Sequence, residues 1–428
     1  MRKVLILTYY WPPAGGPGVQ RILKFAKYLP EFGWEPVILS VENGDYPAID
    51  ESLCWEIPDG LQVYKTRTVE PFTTYRKITG KNENQLIPTY ILNKDYSDNW
   101  RNRLVKWVRA NFFLPDARLG WIPFAWNVGR KIINAEGISI ILASSPPHSL
   151  QFIGRALSHQ LGCKWVADLR DPWTEAFWQR DLNAILPARY INQLLEKSIL
   201  NSADALITVS ESLANLFREK TSKNCYVIPN GFDSEDFNDI KRTHNSQFTI
   251  TYSGSLGKDQ PLTALLKAIN RLEAEIIDQI KVNIYGNIHS CQLAEIEAFN
   301  RADIITVMPY LPHRELITRI VNSDILLLVI PNTPNNKGIL TGKIFEYLAT
   351  GNFILGIGPE DCDAARLLAE TNAGVMFSYS ADLKEVILEH FRMWKKEKKT
   401  IRKTQNIEKY TRRHLTGELA KVLESQLV

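Results

Sequence analysis

The stretch Met1-Arg-Lys-Val-Leu-Ile-Leu-Thr8-Tyr-Tyr-Trp-Pro-Pro-Ala-Gly15-Gly16-Pro-Gly-Val-Gln-Arg21 decides the reading of the fold. Val4–Thr8 is a short, nearly unbroken apolar run, the mark of a strand covered on both faces. Paired glycines follow, and they precede an amphipathic helix. A strand that passes through a glycine turn into a helix opens a βαβ unit, and such units build a parallel sheet. Glycine lets a ligand approach the backbone, and the unpaired N–H groups at a helix start favour a phosphate. The spacing fits neither GxGxxG nor a P-loop. Dinucleotide oxidoreductases and NTPases therefore lose ground, and a Pro/Gly connector is the plain alternative. The basic start is followed by too short an apolar stretch for a secretory signal, so an exported protein is not expected.

Working outward, the same alternation continues. Pro36–Ser40, Leu61–Arg67, Ile138–Ala143, Lys164–Asp168 and Ala205–Val209 read as further strands separated by helical segments. After the polar stretch Asp233–Gln247 the pattern restarts with Phe248–Ser253, Val282–Tyr285, Ile304–Val307, Ile325–Ile330 and Phe353–Ile357. Two consecutive doubly wound α/β domains follow from this: residues 1–236, residues 247–405 and a final helical segment, 406–428. Ligands of such sheets sit beyond the carboxyl ends of the strands, so a cleft between the domains is the expected site. The chain has 428 residues, enough for two or three domains, and 51 Lys+Arg against 47 Asp+Glu leaves a net charge of only +4. With 45% apolar and 23% charged residues it is an ordinary globular protein, which excludes disorder and bulk nucleic-acid neutralisation as its main theme. No apolar run approaches the length of a bilayer span. The cysteines number five, are scattered and lack CxxC spacing, which argues against a disulfide framework or zinc site and fits a reducing cytoplasm. The basic run Trp394–Lys403 reads as an exposed helix.

A second informative stretch is Asn335-Asn-Lys-Gly338-Ile-Leu-Thr341-Gly342-Lys343-Ile-Phe-Glu346-Tyr-Leu-Ala-Thr-Gly351. Thr341 is placed to cap a helix that Gly351 ends. The first turn, with Lys343, suits a diphosphate, and Glu346 one turn later suits ribose hydroxyls. The bland alternative is a surface Lys343/Glu346 pair.

Taken together with Val166-Ala-Asp168-Leu-Arg170-Asp171-Pro-Trp173, Val209–Ser212, Val227–Asp233 and Tyr252-Ser-Gly254, these motifs resemble the retaining, nucleotide-sugar-dependent glycosyltransferases of family 4, with the GT-B fold of two Rossmann-like domains. The likeness extends to the bacterial members that build exopolysaccharide, capsule or O-antigen. It implies a retaining transferase that moves a sugar from a nucleotide-diphosphate sugar, UDP by family frequency, to a lipid-linked or polysaccharide acceptor, with the last helix packed on the first domain. It also implies front-face displacement in which the departing diphosphate takes the acceptor proton, with neither protein nucleophile nor metal required. The departures are specific. Relatives carry two glutamates eight positions apart, whereas Gly338 stands at the first and Glu346 at the second. Relatives place Arg and Lys where this chain has Ser255 and Gln260, with Lys258 in the same loop.

The residues expected to carry the chemistry are Arg170, Asp171, His148, Lys258 and Lys343. Arg170 stands where relatives have a histidine, with Asp171 to orient it, and His148 is the best placed histidine for an acceptor or phosphate. A structural Asp–Arg pair is the alternative. Gly15, Gly16, Arg21, Asp168, Gly254, Ser255 and Gly342 would line the donor and acceptor, and Glu346 the ribose. Gly286, Asn287, Leu311 and Pro312 follow successive strands and would hold the base. Between Trp100 and Trp126, Arg103, Lys106 and Arg109 alternate with Leu104, Val105, Trp107 and Val108, a basic aromatic helix suited to an anionic membrane surface. A helix covering the first sheet is the alternative, and nucleic-acid binding is not expected at near-neutral charge. The rivals are a nucleotide-sugar epimerase or hydrolase of the same fold, and a degenerate scaffold subunit of a glycan assembly complex.

Overall fold

The computed structural model describes residues 1–46, 48–69, 100–176, 184–397 and 403–428. Part of the expected basic run, Lys398–Arg402, lies outside them, as do the side chains of Val105 and Lys106. The chain packs as two units. Unit 1 is Met1–Pro229 with Arg412–Val428, and unit 2 is Asn230–Thr411.

Unit 1 holds a seven-stranded parallel sheet in the order β3-β2-β1-β4-β5-β6-β7. Its strands are β1 (Arg2–Thr8), β2 (Trp34–Val41), β3 (Gln62–Thr66), β4 (Ile140–Ser145), β5 (Lys164–Leu169), β6 (Ala205–Thr208) and β7 (Cys225–Val227). Six were expected. β7 was not, because three residues are too few to show a period. The helices used below are α1 (Pro17–Tyr28), α2 (Trp100–Phe112), α3 (Ile122–Glu136), α4 (Leu150–Leu161), α5 (Leu186–Ser202) and α6 (Glu211–Arg218). Side-chain alternation along β1 divides the core into two layers. Leu5 and Leu7 join Val37, Leu39 and Ile141 beneath Ala125 and Ile132 of α3 and Ile153 and Leu157 of α4. Val4 and Ile6 join Ile38, Ile140 and Leu142 beneath Val19, Ile22 and Leu23 of α1.

Unit 2 holds a six-stranded parallel sheet in the order β10-β9-β8-β11-β12-β13. The strands are β8 (Phe248–Ser253), β9 (Ile280–Tyr285), β10 (Ile305–Met308), β11 (Ile325–Val329), β12 (Phe353–Ile357) and β13 (Gly374–Phe377), the last not expected. The helices are α7 (Thr263–Asn270), α8 (Ala274–Ile277), α9 (Ser290–Glu297), α10 (His313–Val321), α11 (Gly342–Thr350), α12 (Asp363–Thr371) and α13 (Lys384–Glu397). Tyr252, Leu327 and Val329 face α7 and α13, while Leu326 and Leu328 face α10, α11 and α12.

The chain then returns to unit 1 as α14 (Arg412–Ser425), which adds Leu415, Leu419, Val422 and Leu423 to the layer over α1. In both sheets the order reverses once, between β1 and β4 and between β8 and β11. The loops leaving these strands at their carboxyl ends are where a doubly wound sheet accepts ligands. Among the described residues no helix is long and apolar enough to cross a membrane.

Candidate functional site

In unit 1 the residues that close the switch point arrive on β1, β4 and β5. The glycine turn after β1 is pinned to the following loop, since Gly15 donates its N–H to the Ala48 carbonyl at 2.9 Å and Asp50 donates to Pro13 at 2.8 Å. Gly15 therefore has no N–H to offer a ligand, contrary to expectation. Gly16 is the N-cap of α1, and its carbonyl accepts from Val19 and Gln20.

Arg21 and Asp168 were expected to touch substrate, but they are wholly buried and bind each other. Arg21 donates from Nε to Asp168 Oδ2 at 3.1 Å and from Nη2 to Oδ1 at 3.0 Å, and its Nη1 reaches the Pro229 carbonyl at 2.7 Å. Ser144 Oγ donates to the same carboxylate at 2.7 Å. This pair ties α1 to β4 and β5, so it sets the site's geometry from beneath.

Arg170 lies beside this arrangement, partly buried. Its Nε donates to the Ser145 carbonyl at 3.2 Å and its Nη2 to Pro146 at 3.3 Å. The guanidinium lies so close to Gly18 that a Cβ there would stand 2.0 Å from Nη1. Only glycine fits, and Arg170 is thereby held against the first turn of α1. Burial lowers its pKa, with Asp168 and Asp171 opposing the shift. Burial likewise raises the pKa of Asp171, with Arg170 opposing.

His148 stacks on Trp173 at 4.6 Å and 11°, and its Nδ1 is buried without a hydrogen-bond partner. Burial pushes its pKa down to about 4, so the ring is neutral near pH 7. Asp116 holds the adjacent turn through the Ser149 N–H at 2.8 Å and Oγ at 2.7 Å. Arg109 and Tyr10 each interact electrostatically with Asp116 and with Arg118, so cations and a phenol crowd the same corner.

In unit 2 the turns after β8 and β9 meet. Gly254 has φ 96° and Gly286 φ 133°, and a Cβ on Gly286 would lie 2.5 Å from the Gly254 carbonyl oxygen. Lys343, in the first turn of α11, reaches over them. Its Nζ sits 3.9 Å from the centroid of Tyr252, and a Cβ on Gly254 would be 3.1 Å from it. Burial lowers the pKa of Lys343 to about 7, with Glu346 opposing. An enclosed ammonium at a helix start lacks a full counter-charge, which an anionic ligand would supply. Thr341 occupies the N-cap position as expected, yet its side chain makes no cap bond and its Oγ1 is buried without a partner. Tyr347 fixes the helix to β8 by accepting the Ser253 N–H at 2.9 Å.

Gln260, noted above as a departure from lysine, turns inward. It accepts from the Gly257 N–H at 2.8 Å and donates to the Val329 carbonyl at 2.7 Å and Tyr252 Oη at 3.2 Å. Ser255 contributes its carbonyl to Tyr252 Oη at 2.7 Å. The loop is thus a rigid frame for the Tyr252 ring. Lys258 is exposed on it, and its carbonyl accepts from Gln292. Lys343 is therefore the cation brought to Gly254. Asn287 accepts from Leu256 N–H at 2.8 Å, Leu311 precedes α10, and Pro312 is that helix's N-cap. Gly342 opens α11.

Glu346 has a partner that sequence reasoning missed. His313, the first residue of α10, places Nε2 3.0 Å from Glu346 Oε1. The spacing of 33 residues carries no periodic signal, and only the packing of α10 beside α11 brings them together.

The profile of Glycosyltransferase Family 4 matches residues 83–236. No curated protein matches the chain. Among solved structures, the chain is similar to HepE of Anabaena in complex with UDP-glucose, at 12% identity, TM-score 0.61, and coverage of 99% of this chain and 100% of that one. It is also similar to sucrose-phosphate synthase from Thermosynechococcus elongatus, at 11% identity, TM-score 0.59, and coverage of 100% and 98%. A putative UDP-N-acetylglucosamine 2-epimerase from Listeria monocytogenes follows at 10% identity and TM-score 0.50, covering 100% and 96%. These likenesses show the fold, two Rossmann-like α/β domains of the GT-B kind.

Proposed function

We propose that the chain is a retaining glycosyltransferase that takes a nucleotide-diphosphate sugar, UDP-linked by preference, and passes the sugar to a lipid-linked or polysaccharide acceptor in cell-surface glycan synthesis. One observation carries this: the Lys343 ammonium, enclosed against Tyr252 and Gly254 at the start of α11, with the Glu346 carboxylate one turn along the same helix. A diphosphate beside Nζ would meet Lys343, the unpartnered Thr341 hydroxyl and the N–H groups of the first helical turn. The ribose would then fall near Glu346. The family profile over residues 83–236 and the UDP-glucose complex of the HepE neighbour support the donor class.

The chemistry follows from charge. As the acceptor oxygen bonds to the anomeric carbon, the bond from that carbon to the diphosphate oxygen breaks, and the diphosphate gains negative charge. Lys343 and the dipole of α11 stabilise that charge most when it is greatest, in the transition state. The proton leaving the acceptor hydroxyl passes to the departing diphosphate, so no protein base is required and no metal is invoked. Within unit 1, Arg170, His148 and Asp171 are the residues assigned to the acceptor.

A membrane-bound acceptor is supported by the outer face of unit 1. α5 buries polar Asn192 and Glu196, which bond Trp173 Nε1 at 2.9 Å and Thr174 Oγ1 at 2.6 Å, while Leu186, Tyr190, Ile191 and Leu194 stand exposed. Apolar Ala188, Ile199 and Leu200 are buried as well, yet four large apolar side chains of the same helix face solvent. Leu104, Trp107 and Phe112 of α2 extend the apolar surface, and exposed Arg103, Arg189 and Lys197 lie around it. The two helices are joined by the Ile185 N–H donating to Asn111 Oδ1 at 2.8 Å. Apolar groups ringed by cations suit the inner, anionic face of a cytoplasmic membrane.

The deciding experiment is calorimetric titration of UDP, GDP and ADP, then of the sugar-nucleotides of the one that binds, with product anomericity read by NMR. Selective binding followed by transfer with retention meets the expectation. Binding of none of the three overturns it in favour of a scaffold subunit, for which Gly338, Ser255 and the inward Gln260 would be the cause. Interconversion of the sugar without transfer would favour an epimerase.

A further inference from the structure

His313 has no role in the function proposed so far, and its place beside Glu346 calls for one. A carboxylate offers two oxygens. Oε1 of Glu346 faces His313 Nε2 at 3.0 Å, and with a carboxylate as partner Nε2 is the donor. Oε2 accepts no hydrogen bond from the described residues. The glutamate side chain is 16% exposed and that of His313 only 11%. A half-buried acid with one oxygen anchored and the other open presents a single acceptor in a defined direction.

The two residues come from different helices, α10 and α11, whose inner faces share one apolar layer. Ile317 and Ile320 of α10 and Ile344, Phe345 and Leu348 of α11 are all fully buried there. This shared layer holds the two backbones side by side, and α11 is further fixed by Tyr347 on Ser253. With both backbones held, the His313 hydrogen bond selects among the glutamate's rotamers and so sets the direction of Oε2. Gly338, standing where relatives have the first of two glutamates, contributes no carboxylate. A lone glutamate has more need of a fixed aim than one of a pair.

We propose that His313 is a positioning residue that aims Glu346 at the ribose, and that this pair makes unit 2 select ribonucleotides over their deoxy forms. This role rests on the donor assignment above. The ligand chemistry is a vicinal diol: one of the two ribose hydroxyls donates to Oε2, and its loss leaves a half-buried carboxylate unsatisfied.

The test uses the full chain, with UDP, GDP and ADP titrated first and then the 2′-deoxy and 3′-deoxy forms of the one that binds, alongside inorganic pyrophosphate. The wild type is expected to bind the ribonucleotide roughly 10- to 100-fold more tightly than at least one deoxy form. His313→Leu should lose that preference and weaken the ribonucleotide by a similar factor, while pyrophosphate binding stays unchanged. His313→Gln, which keeps a donor, should recover most of the preference. Circular dichroism and thermal melting of each variant establish that it is folded. Undiminished discrimination in His313→Leu overturns the proposal, as does an equal loss of nucleotide and pyrophosphate, which would mark His313 as merely structural. If His313→Leu does not fold, absence of discrimination in the folded His313→Gln protein overturns it equally. Wild-type protein that binds none of the three nucleotides defeats the donor assignment itself, an outcome distinguishable from the others.

Discussion

Lys343 allows a quantitative prediction, because its proton is held so weakly. Burial brings its pKa from an ordinary 10.5 down to about 7, against the opposing pull of Glu346. About half of the empty sites are then protonated at pH 7 and about one in ten at pH 8. A sugar-nucleotide keeps both charges of its diphosphate throughout this range and restores the ammonium on binding. Binding should take up about 0.5 proton at pH 7 and about 0.9 at pH 8. Affinity should be flat below pH 7 and fall about tenfold for each pH unit above it, until the pKa of the bound state is reached. Titration in two buffers of different ionisation enthalpy counts these protons directly. Lys343→Arg, always charged, should bind without uptake. The sign for stability is also fixed. A cation whose pKa falls on folding costs stability fully below about pH 7, and the cost fades as pH rises towards 10.5. Lys343→Met should thus raise the melting temperature by ~2–4 °C at pH 6 and by less at pH 9, even as it removes donor binding. Zero uptake at pH 8, or uptake that persists in Lys343→Arg, would refute the assignment of the proton to this residue.

Other perturbations probe unit 1. Arg21→Met strands Asp168 in the core with only Ser144 for company, and should cost ~3–5 kcal/mol in denaturant unfolding; a loss under ~1 kcal/mol would mean the pair is not the tie between α1 and β5. Gly18→Ala must displace the Arg170 guanidinium, so turnover should drop by roughly tenfold or more while the melting temperature moves by less than ~2 °C. Unchanged turnover would remove Arg170 from the acceptor side. Leu186→Ser combined with Leu194→Ser should weaken sedimentation with anionic vesicles by roughly tenfold or more, and undiminished binding would place the membrane surface elsewhere.

What could be read from the chain depended on the range of the interaction. Strands such as Phe248–Ser253 and Phe353–Ile357 are local apolar runs, and their observed limits coincide with the expected ones. The start of α11 was legible too, because Thr341, Lys343, Glu346 and Gly351 are all within one helix. His313 was not, because its meaning comes from a helix that lies beside α11 only in three dimensions. Gln260 looked like a missing cation, whereas its amide is used to brace the Tyr252 ring on which the remaining cation rests. Arg21 looked like a ligand contact because it follows a glycine turn, and Asp168 because it stands at a strand end on the same side as Arg170. Their burial follows from α1 lying directly over β5, a distance of 147 residues along the chain. The burial of Asn192 and Glu196 on α5 carries no local signal for a similar reason, since Trp173 and Thr174, which bind them, come from another part of the chain.

The return of the chain to unit 1 as α14 has a consequence for synthesis. The layer over α1 needs Leu415, Leu419 and Leu423, which leave the ribosome only after residues 230–411 have been made. At about 5–20 residues per second that interval is about 10–40 s. During it Ile22 and Leu23 of α1 lack part of their cover, while unit 2 is already complete enough to fold. The nascent first unit then exposes apolar surface of the kind that invites chaperones, and a stop codon before α14 would leave that layer without Leu415, Leu419 and Leu423.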